Sequence, residues 1–103
     1  MPSVSVRLSP RAHGDTLRLH KWLSDKSPLA AKKALEQITK SLEILKQQPK
    51  IGRPADWISE EFRELVIPFG ASGYLALYQF DESANEAVVV AIRHQKEAGY
   101  PDP

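Results

Sequence analysis

The strongest constraint on the fold is an apolar repeat in the first half of the chain. Its members recur at intervals of four and three residues: Ala31, Leu35, Ile38, Leu42 and Leu45. This spacing places the side chains on one face of an α-helix of about four turns. Ser27 and Pro28 stand just before the repeat, and these residue types favour the cap and the first turn of a helix. The repeat therefore predicts an amphipathic helix that must bury one face against another element.

A second helical pattern precedes this repeat. It begins after Ser9 and Pro10, and its apolar or small side chains follow at helical spacing: Ala12, Thr16, Leu19 and Leu23. Gly14 within it weakens the helix by about 1 kcal/mol relative to alanine. Only a short break, residues 25–28, separates the two patterns. Two helices with so short a joint predict an antiparallel αα-hairpin.

Strand patterns flank the two helices. They occupy residues 4–8, 62–67, 74–80 and 87–92. Between the helices and the last three strands, Pro49, Gly52 and Pro54 predict a loop over residues 47–56. The order β-α-α-β-β-β predicts an α+β fold, in which an antiparallel sheet carries the αα-hairpin on one face. The length of 103 residues predicts one domain over positions 1–103.

Composition excludes several classes of protein. The chain has no cysteine, so it forms neither disulfides nor thiolate metal sites, and it has no apolar run of the roughly 20 residues that a membrane span needs. Its N-terminus lacks an apolar secretion signal, and a cytoplasmic location is expected. The net charge of +1 means that an anionic partner must be met by a local cluster of cations. No motif for a metal, phosphate loop or small-molecule cofactor is visible, and none is predicted.

The stretch AIRHQKEAGY, residues 91–100, ends the last apolar strand in polar side chains. Histidine exchanges protons near neutral pH, and an adjacent arginine can stabilise charge on a phosphate, so Arg93 and His94 are candidate catalytic residues of a ribonuclease. In the alternative interpretation, His94 continues the face of Val88, Val90 and Ile92 and is a structural ring at the edge of the core. The residues alone leave both interpretations open.

Other basic side chains are candidates for binding an anion. Side chains alternate along a strand, so Arg63 lies on the same side as Leu65 and Ile67. A strand would hold its guanidinium more rigidly than a loop does. Arg53 lies in the rigid loop sequence PKIGRP and could either face a phosphate or pair with a nearby carboxylate. The remaining candidates for contact with nucleic acid are lysines: Lys46, Lys50 and Lys96.

Longer segments of the sequence resemble a known family. These are SPRA after the first strand, SPLAAKKALEQITKSLEIL, QQPKIGRP, FRELVIPFGASGYLALYQF and VVVAIRHQKEAGY. In this order, covering nearly the whole chain, they resemble the RelE/ParE superfamily of bacterial toxins from type II toxin–antitoxin systems. The fold known for that superfamily has the same β-α-α-β-β-β order.

The resemblance implies one of two activities. RelE-like toxins cleave mRNA on the ribosome, and the resemblance would then make Arg63, Arg93 and His94 the catalytic residues. ParE-like toxins poison DNA gyrase without a nuclease site and are associated with plasmid stabilization. The motif P-x-x-G-R-P and the strand end I-x-H-Q look closer to the ParE branch, which we favour. A third interpretation is a degenerate, non-toxic member that acts as a binding module.

Both branches of the superfamily imply a cognate antitoxin as a partner. Its flexible C-terminal segment would fold on the toxin, against the helical hairpin or at an edge of the sheet. The sequence analysis predicts an apolar groove for this segment near Trp57, Tyr74 and Tyr78.

Overall fold

The computed structural model describes residues 3–101. The elements follow in the order β1 (Ser5–Leu8), α1 (Pro10–Ser24), α2 (Pro28–Glu43), a 3₁₀ turn (Ile44–Lys46), β2 (Arg53–Pro54), β3 (Phe62–Phe69), β4 (Ser72–Asp81) and β5 (Glu86–His94). Within the described residues, neither helix has the length and apolarity to cross a membrane. The four positions outside this range belong to the predicted domain, and its extent stays a prediction.

Both helices begin at the serines that the sequence indicates. The hydroxyl oxygen of Ser9 accepts a hydrogen bond from the Ala12 amide at 3.1 Å, and that of Ser27 accepts one from the Ala30 amide at 3.2 Å. A proline occupies the first turn of each helix, where its missing N–H leaves no hydrogen bond unmade. Local capping chemistry therefore sets the start of both helices, and the predicted αα-hairpin is confirmed.

The sheet has five strands in the order β1-β5-β4-β3-β2. Strands β3, β4 and β5 form the predicted antiparallel meander. Strand β1 differs from the prediction because it pairs parallel to β5, which the long connection through the helical hairpin and strands β2, β3 and β4 permits. Strand β2 adds a two-residue antiparallel edge within the segment predicted to be a loop, with Arg53 opposite Glu64 and Pro54 opposite Arg63.

The two faces of the sheet have different environments. The helix face, which packs against α1 and α2, carries most of the buried side chains of β3, β4 and β5, among them Ile67, Tyr78 and Ile92. The open face, on the other side, carries a smaller buried cluster around Ala55, Leu77 and Ala91. Side chains on different faces are separated by the sheet, so they cannot contact one small ligand together.

A β-bulge in β5 changes the faces that simple alternation predicts. Val89 lies opposite Tyr78 and Ala91 opposite Leu77, so Val90 has no residue opposite it. The extra residue places Val89 and Ile92 on the helix face, and Val90 in the open-face cluster. The prediction that Val90 and Ile92 share a face is therefore wrong, because it assumed unbroken alternation along the strand.

Candidate functional site

The two arginines predicted to act together lie on opposite faces of the sheet. Arg63 shares the helix face with Leu65 and Ile67, and its Nη1 donates to the backbone carbonyls of Lys50 at 3.1 Å and Gly52 at 2.8 Å. Arg93, the residue after Ile92, lies on the open face. Its guanidinium carbon lies 5.2 Å from the centre of the Tyr100 ring. The thickness of the sheet separates these two cations.

His94 is on the helix face, and hydrogen bonds engage both of its ring nitrogens. Its Nδ1 accepts from the Lys96 amide at 3.1 Å, and its Nε2 lies 3.2 Å from the hydroxyl of Ser72. Since Nδ1 accepts, the proton of the neutral ring is on Nε2 and is donated to Ser72. The ring also meets Tyr74 edge to face, with 5.5 Å between centres. These contacts hold the ring at the end of β5, on the opposite side from the Arg93 guanidinium.

Three of the four other candidate cations make ion pairs. Lys46 contacts Glu43 at 2.8 Å, Lys50 contacts Glu82 at 2.5 Å, and Arg53 contacts Glu64 at 2.6 Å. Lys96 makes no ion pair with any residue that the structure describes. It follows β5 at the end away from Lys50, whose partner Glu82 follows β4. The four cations are thus spread over the two ends and one edge of the sheet.

The structure instead brings together a network of polar side chains on the open face. Glu64 lies at the centre of this network and is 1% exposed. One of its carboxylate oxygens accepts from Arg53 Nη2 at 2.6 Å. The other oxygen accepts from the Tyr100 hydroxyl at 2.6 Å, and Arg93 lies against the ring of Tyr100. We call Arg53, Glu64, Arg93 and Tyr100 the open-face network. It combines a buried carboxylate, a phenol and two guanidinium groups.

Sequence reasoning found the arginines of this network but missed Glu64 and Tyr100. Glu64 alternates with Leu65 along β3, and nothing in that pattern distinguishes a buried carboxylate from a solvated one. A usable signal was the isolation of Tyr100 between Gly99 and Pro101, because an aromatic side chain in a polar tail often packs back onto the fold.

The environment of Tyr100 raises the pKa of its hydroxyl above the ordinary tyrosine value. Burial is the largest cause, followed by the hydrogen bond to the Glu64 carboxylate and the charge of that carboxylate. A raised pKa in the folded state means that this tyrosine stabilises the fold fully below pH ~10, the value in an unfolded chain. The stabilisation is lost progressively as the pH rises above that value, because the unfolded state then ionises first.

We therefore expect alkaline destabilisation that depends on Tyr100. Urea unfolding of the parent should show a free energy of unfolding that falls steadily above pH ~10. Tyr100→Phe should be less stable at neutral pH but should lose less stability across the same alkaline range. Part of the fall should persist in the variant, because burial also raises the pKa of Tyr74 and of Tyr78. Parallel pH profiles for parent and variant would contradict the assignment.

Asp15 of α1 makes an unusual connection between a helix and a strand edge. Strand β1 ends opposite Val89, so within the described residues the rest of β5 has no strand beside it on that edge. There the buried Asp15 carboxylate accepts from the Ile92 amide at 2.9 Å. Arg11 and Arg18 flank it at 3.9 and 3.7 Å. A helical side chain thus replaces the missing strand as the partner of a buried amide.

An apolar cavity lies beside α1, at the end of β5. Of the three residues near which a groove is predicted, Tyr74 lines this cavity, whereas Tyr78 is buried in the core and Trp57 stands in the loop after β2. The cavity holds about 350 Å³ between α1 and the end of β5. Its lining consists of Arg18, Leu19, Trp22, Tyr74, His94, Lys96 and Glu97.

Solved structures define the class of protein to which this fold belongs. The chain is similar to a chain in the structure of the chromosomal ParDE toxin–antitoxin system from P. aeruginosa, with a TM-score of 0.72, 19% identity, and coverage of 89% of this chain and 96% of the other. It is also similar to the toxin–antitoxin complex RelBE2 from Mycobacterium tuberculosis, with a TM-score of 0.65, 18% identity, and coverage of 90% and 99%. The fold is that of RelE/ParE-like toxins, as the sequence predicts.

Sequence comparisons identify the family. Residues 6–99 match the family described as the ParE toxin of type II toxin–antitoxin system, parDE, and the chain belongs to this family. Two proteins of Caulobacter vibrioides are similar to it. Toxin RelE3 is 39% identical over 93 residues, which cover 90% of this chain and 96% of that protein. Toxin RelE1 is 35% identical over 77 residues, which cover 75% and 80%. The chain is therefore a toxin of a type II toxin–antitoxin system.

Proposed function

We propose that this toxin stops growth by poisoning DNA gyrase, without cleaving RNA, and that a cognate antitoxin neutralises it. The observation that carries this proposal is the separation of Arg63, Arg93 and His94. Arg63 and His94 share the helix face, whereas Arg93 is on the open face. The resemblance to the ParE branch, whose members act on gyrase, supports the same conclusion.

The separation matters because RNA cleavage needs its groups around one phosphate. A general acid or base must come within about 3 Å of the oxygen whose proton it transfers. A charge stabiliser must be equally close to the oxygen on which charge develops. Arg93 and His94 are consecutive residues of a strand and point to opposite sides of the sheet, so one phosphate cannot reach both. Arg63 is further committed to two backbone carbonyls.

A second candidate function, ribosome-dependent cleavage of mRNA, has one observation in its favour. The open-face network places Glu64 between Arg53 and Tyr100, with Arg93 against the tyrosine ring. A carboxylate, a phenol and two guanidinium groups are sufficient for acid–base chemistry at a phosphate. The names of the two Caulobacter relatives, Toxin RelE3 and Toxin RelE1, point to the same branch. In this function Arg93 would act, and His94 would not.

For the antitoxin we propose a contact at the cavity beside α1. Trp22 stands at its rim with 58% of its surface exposed, and Leu19 and Tyr74 form an apolar floor. Lys26 lies over the Trp22 ring at 4.5 Å, and Lys96 lines the other side, so the rim carries positive charge. An amphipathic segment with a bulky apolar side chain between carboxylates fits this surface. The structural neighbours include a toxin–antitoxin complex, which supports a partner of this kind.

The two target classes are separated by a pair of assays on the purified toxin. We expect the parent to inhibit supercoiling by gyrase and to leave mRNA intact on translating ribosomes. His94→Gln should keep the gyrase inhibition, with a loss of stability of about 1–3 kcal/mol from its broken hydrogen bonds. Cleavage by the parent would overturn the proposal. A cleavage rate that falls ~10²-fold or more in Arg93→Ala or Glu64→Gln would then establish the second candidate.

Expression in cells tests toxicity and the antitoxin together. Induction of the parent should arrest growth, and co-expression of a small neighbouring reading frame should restore it. Trp22→Ala should remain toxic but need more of that partner, because the loss of an interface anchor weakens binding by about 2 kcal/mol or more. Normal growth with confirmed expression of folded protein would favour the degenerate, non-toxic member.

A further inference from the structure

The segment after β5 is fastened to the domain in two different ways. Close to the strand, backbone hydrogen bonds hold it: the Gln95 amide donates to Gly73 at 2.8 Å and the Glu97 amide donates to His94 at 3.1 Å. From residue 98 to residue 101, no backbone-to-backbone hydrogen bond is present among the described residues. Side chains hold this part instead, through the Tyr100 hydroxyl on Glu64 and an Arg11 guanidinium on the Pro101 carbonyl.

This segment covers part of the open face. The ring of Tyr100 packs against the buried cluster around Leu77 and Ala91. Glu64, Leu77 and Ala91 lie opposite one another in a row across three strands, and Tyr100 spans that row to reach Glu64. Gly99 allows the chain to turn there, because its φ of 132° is a conformation that side chains disfavour.

The Arg93 guanidinium has an incomplete set of hydrogen bonds while the segment is in place. Its Nη1 donates to the carbonyls of His94 at 3.3 Å, Gln95 at 3.4 Å and Glu97 at 2.7 Å. Its Nε is buried without a hydrogen-bond partner, and the guanidinium makes no ion pair with any of residues 3–101. A buried N–H without a partner is destabilising, so the closed arrangement does not satisfy the cation that it covers.

We propose that residues 98–101 form a C-terminal latch, which opens while the rest of the domain stays folded and which, when closed, keeps ligands away from Arg93 and the open face. A segment held only by side chains opens at a lower free energy than the strands beside it. Opening removes the Tyr100 ring from the Arg93 guanidinium, frees one oxygen of Glu64, and uncovers Leu77 and Ala91. The hydrogen bonds of Arg93 to the carbonyls of residues 94, 95 and 97 lie outside the latch and stay in place. Any partner that binds Leu77, Ala91 or the covered side of Arg93 must displace the latch first.

The test is the rate at which the arginine reagent phenylglyoxal modifies Arg93, followed by mass spectrometry of the folded protein. Tyr100→Phe removes the hydroxyl bond to Glu64 and should speed modification about tenfold or more, the effect of one hydrogen bond to a charged group. A chain that ends at Glu97 lacks the latch altogether and should react at Arg93 at least as fast as Tyr100→Phe, but more slowly than an unfolded chain, because it keeps the carbonyls that hold the guanidinium. Tyr74→Phe is the matched control, because the Tyr74 hydroxyl makes no hydrogen bond within the described residues and should leave the rate unchanged.

Two results would overturn the latch. One is an equal rate for Arg93 in the parent and in Tyr100→Phe, with unfolding curves confirming that both are folded. The other is a rate in the parent that rises with urea as steeply as global unfolding does, since Arg93 would then be reached only when the whole domain unfolds. The measurement involves neither gyrase nor ribosomes, so the latch and the proposed function can fail separately.

Discussion

Replacing Gly73 by alanine should cost about 3 kcal/mol or more of folding free energy. Gly73 lies at the start of β4, opposite Pro68 of β3. A Cβ there would lie 2.1 Å from the Ile67 carbonyl oxygen, 2.9 Å from the Phe69 amide nitrogen and 3.0 Å from the Pro68 Cα. All three are backbone atoms, so no side-chain rotation relieves the clash, and the β3–β4 hairpin must separate. The damage should extend to the end of β5, because the Gly73 carbonyl accepts from the Gln95 amide.

Gly14→Ala is the matched control and should change stability in the opposite direction. Gly14 is within α1, and a Cβ built there meets nothing within 4 Å. Alanine should therefore add about 0.5–1 kcal/mol of stability through the better helix propensity. Urea unfolding of both variants beside the parent checks the pair. Two variants of equal stability would mean that the β3–β4 hairpin adapts more easily than its geometry indicates.

Asp15→Ala should destabilise the fold by about 2–3 kcal/mol, because this buried carboxylate accepts a buried backbone hydrogen bond. The substitution leaves the buried Ile92 amide without an acceptor, and it removes the negative charge between Arg11 and Arg18. Since none of the strands among residues 3–101 pairs with this part of β5 on the edge away from β4, no backbone carbonyl of a neighbouring strand can take over the amide. The free end of β5 should consequently exchange its amide protons faster.

Asp15→Asn separates the hydrogen bond from the charge. Asparagine keeps an oxygen that can accept from the Ile92 amide, so it should cost only about 1 kcal/mol. Hydrogen exchange should then show Ile92 protected in Asp15→Asn and exposed in Asp15→Ala. Equal losses in the two variants would assign the whole effect to the arginine contacts.

The helices and the order of strands could be predicted because their causes are local. Ser9 and Ser27 cap helices through their own neighbours in sequence, and apolar periodicity identifies the buried side of α2. The same reasoning failed at Val90, because a bulge depends on how β5 fits its partner strand and leaves no mark in its own sequence. It also missed β2, whose two residues exist as a strand only beside β3.

The candidate site was less predictable for a related reason. A sequence shows that Arg63, Arg93 and His94 are present. The face of the sheet that each one occupies also depends on how the strands pair, which the sequence does not state. Glu64 and Tyr100 are far apart in the chain and meet only when the tail returns across the sheet. Such contacts between distant positions are what local patterns cannot supply, and they decide which charges are free to act.

The parallel pairing of β1 with β5 determines when during synthesis the toxin can complete its fold. The Ser9 hydroxyl contacts the Val90 carbonyl across 81 positions of sequence, and before β5 is made, β1 has little to pair with. The hairpins of β3, β4 and β5 join near neighbours and can close early, whereas contacts of such long range are slow to form. A nascent chain that stops short of β5 therefore has helices and a hairpin but neither the completed sheet nor the cavity beside α1. Toxicity and recognition by an antitoxin would then arise together, in the last step of folding.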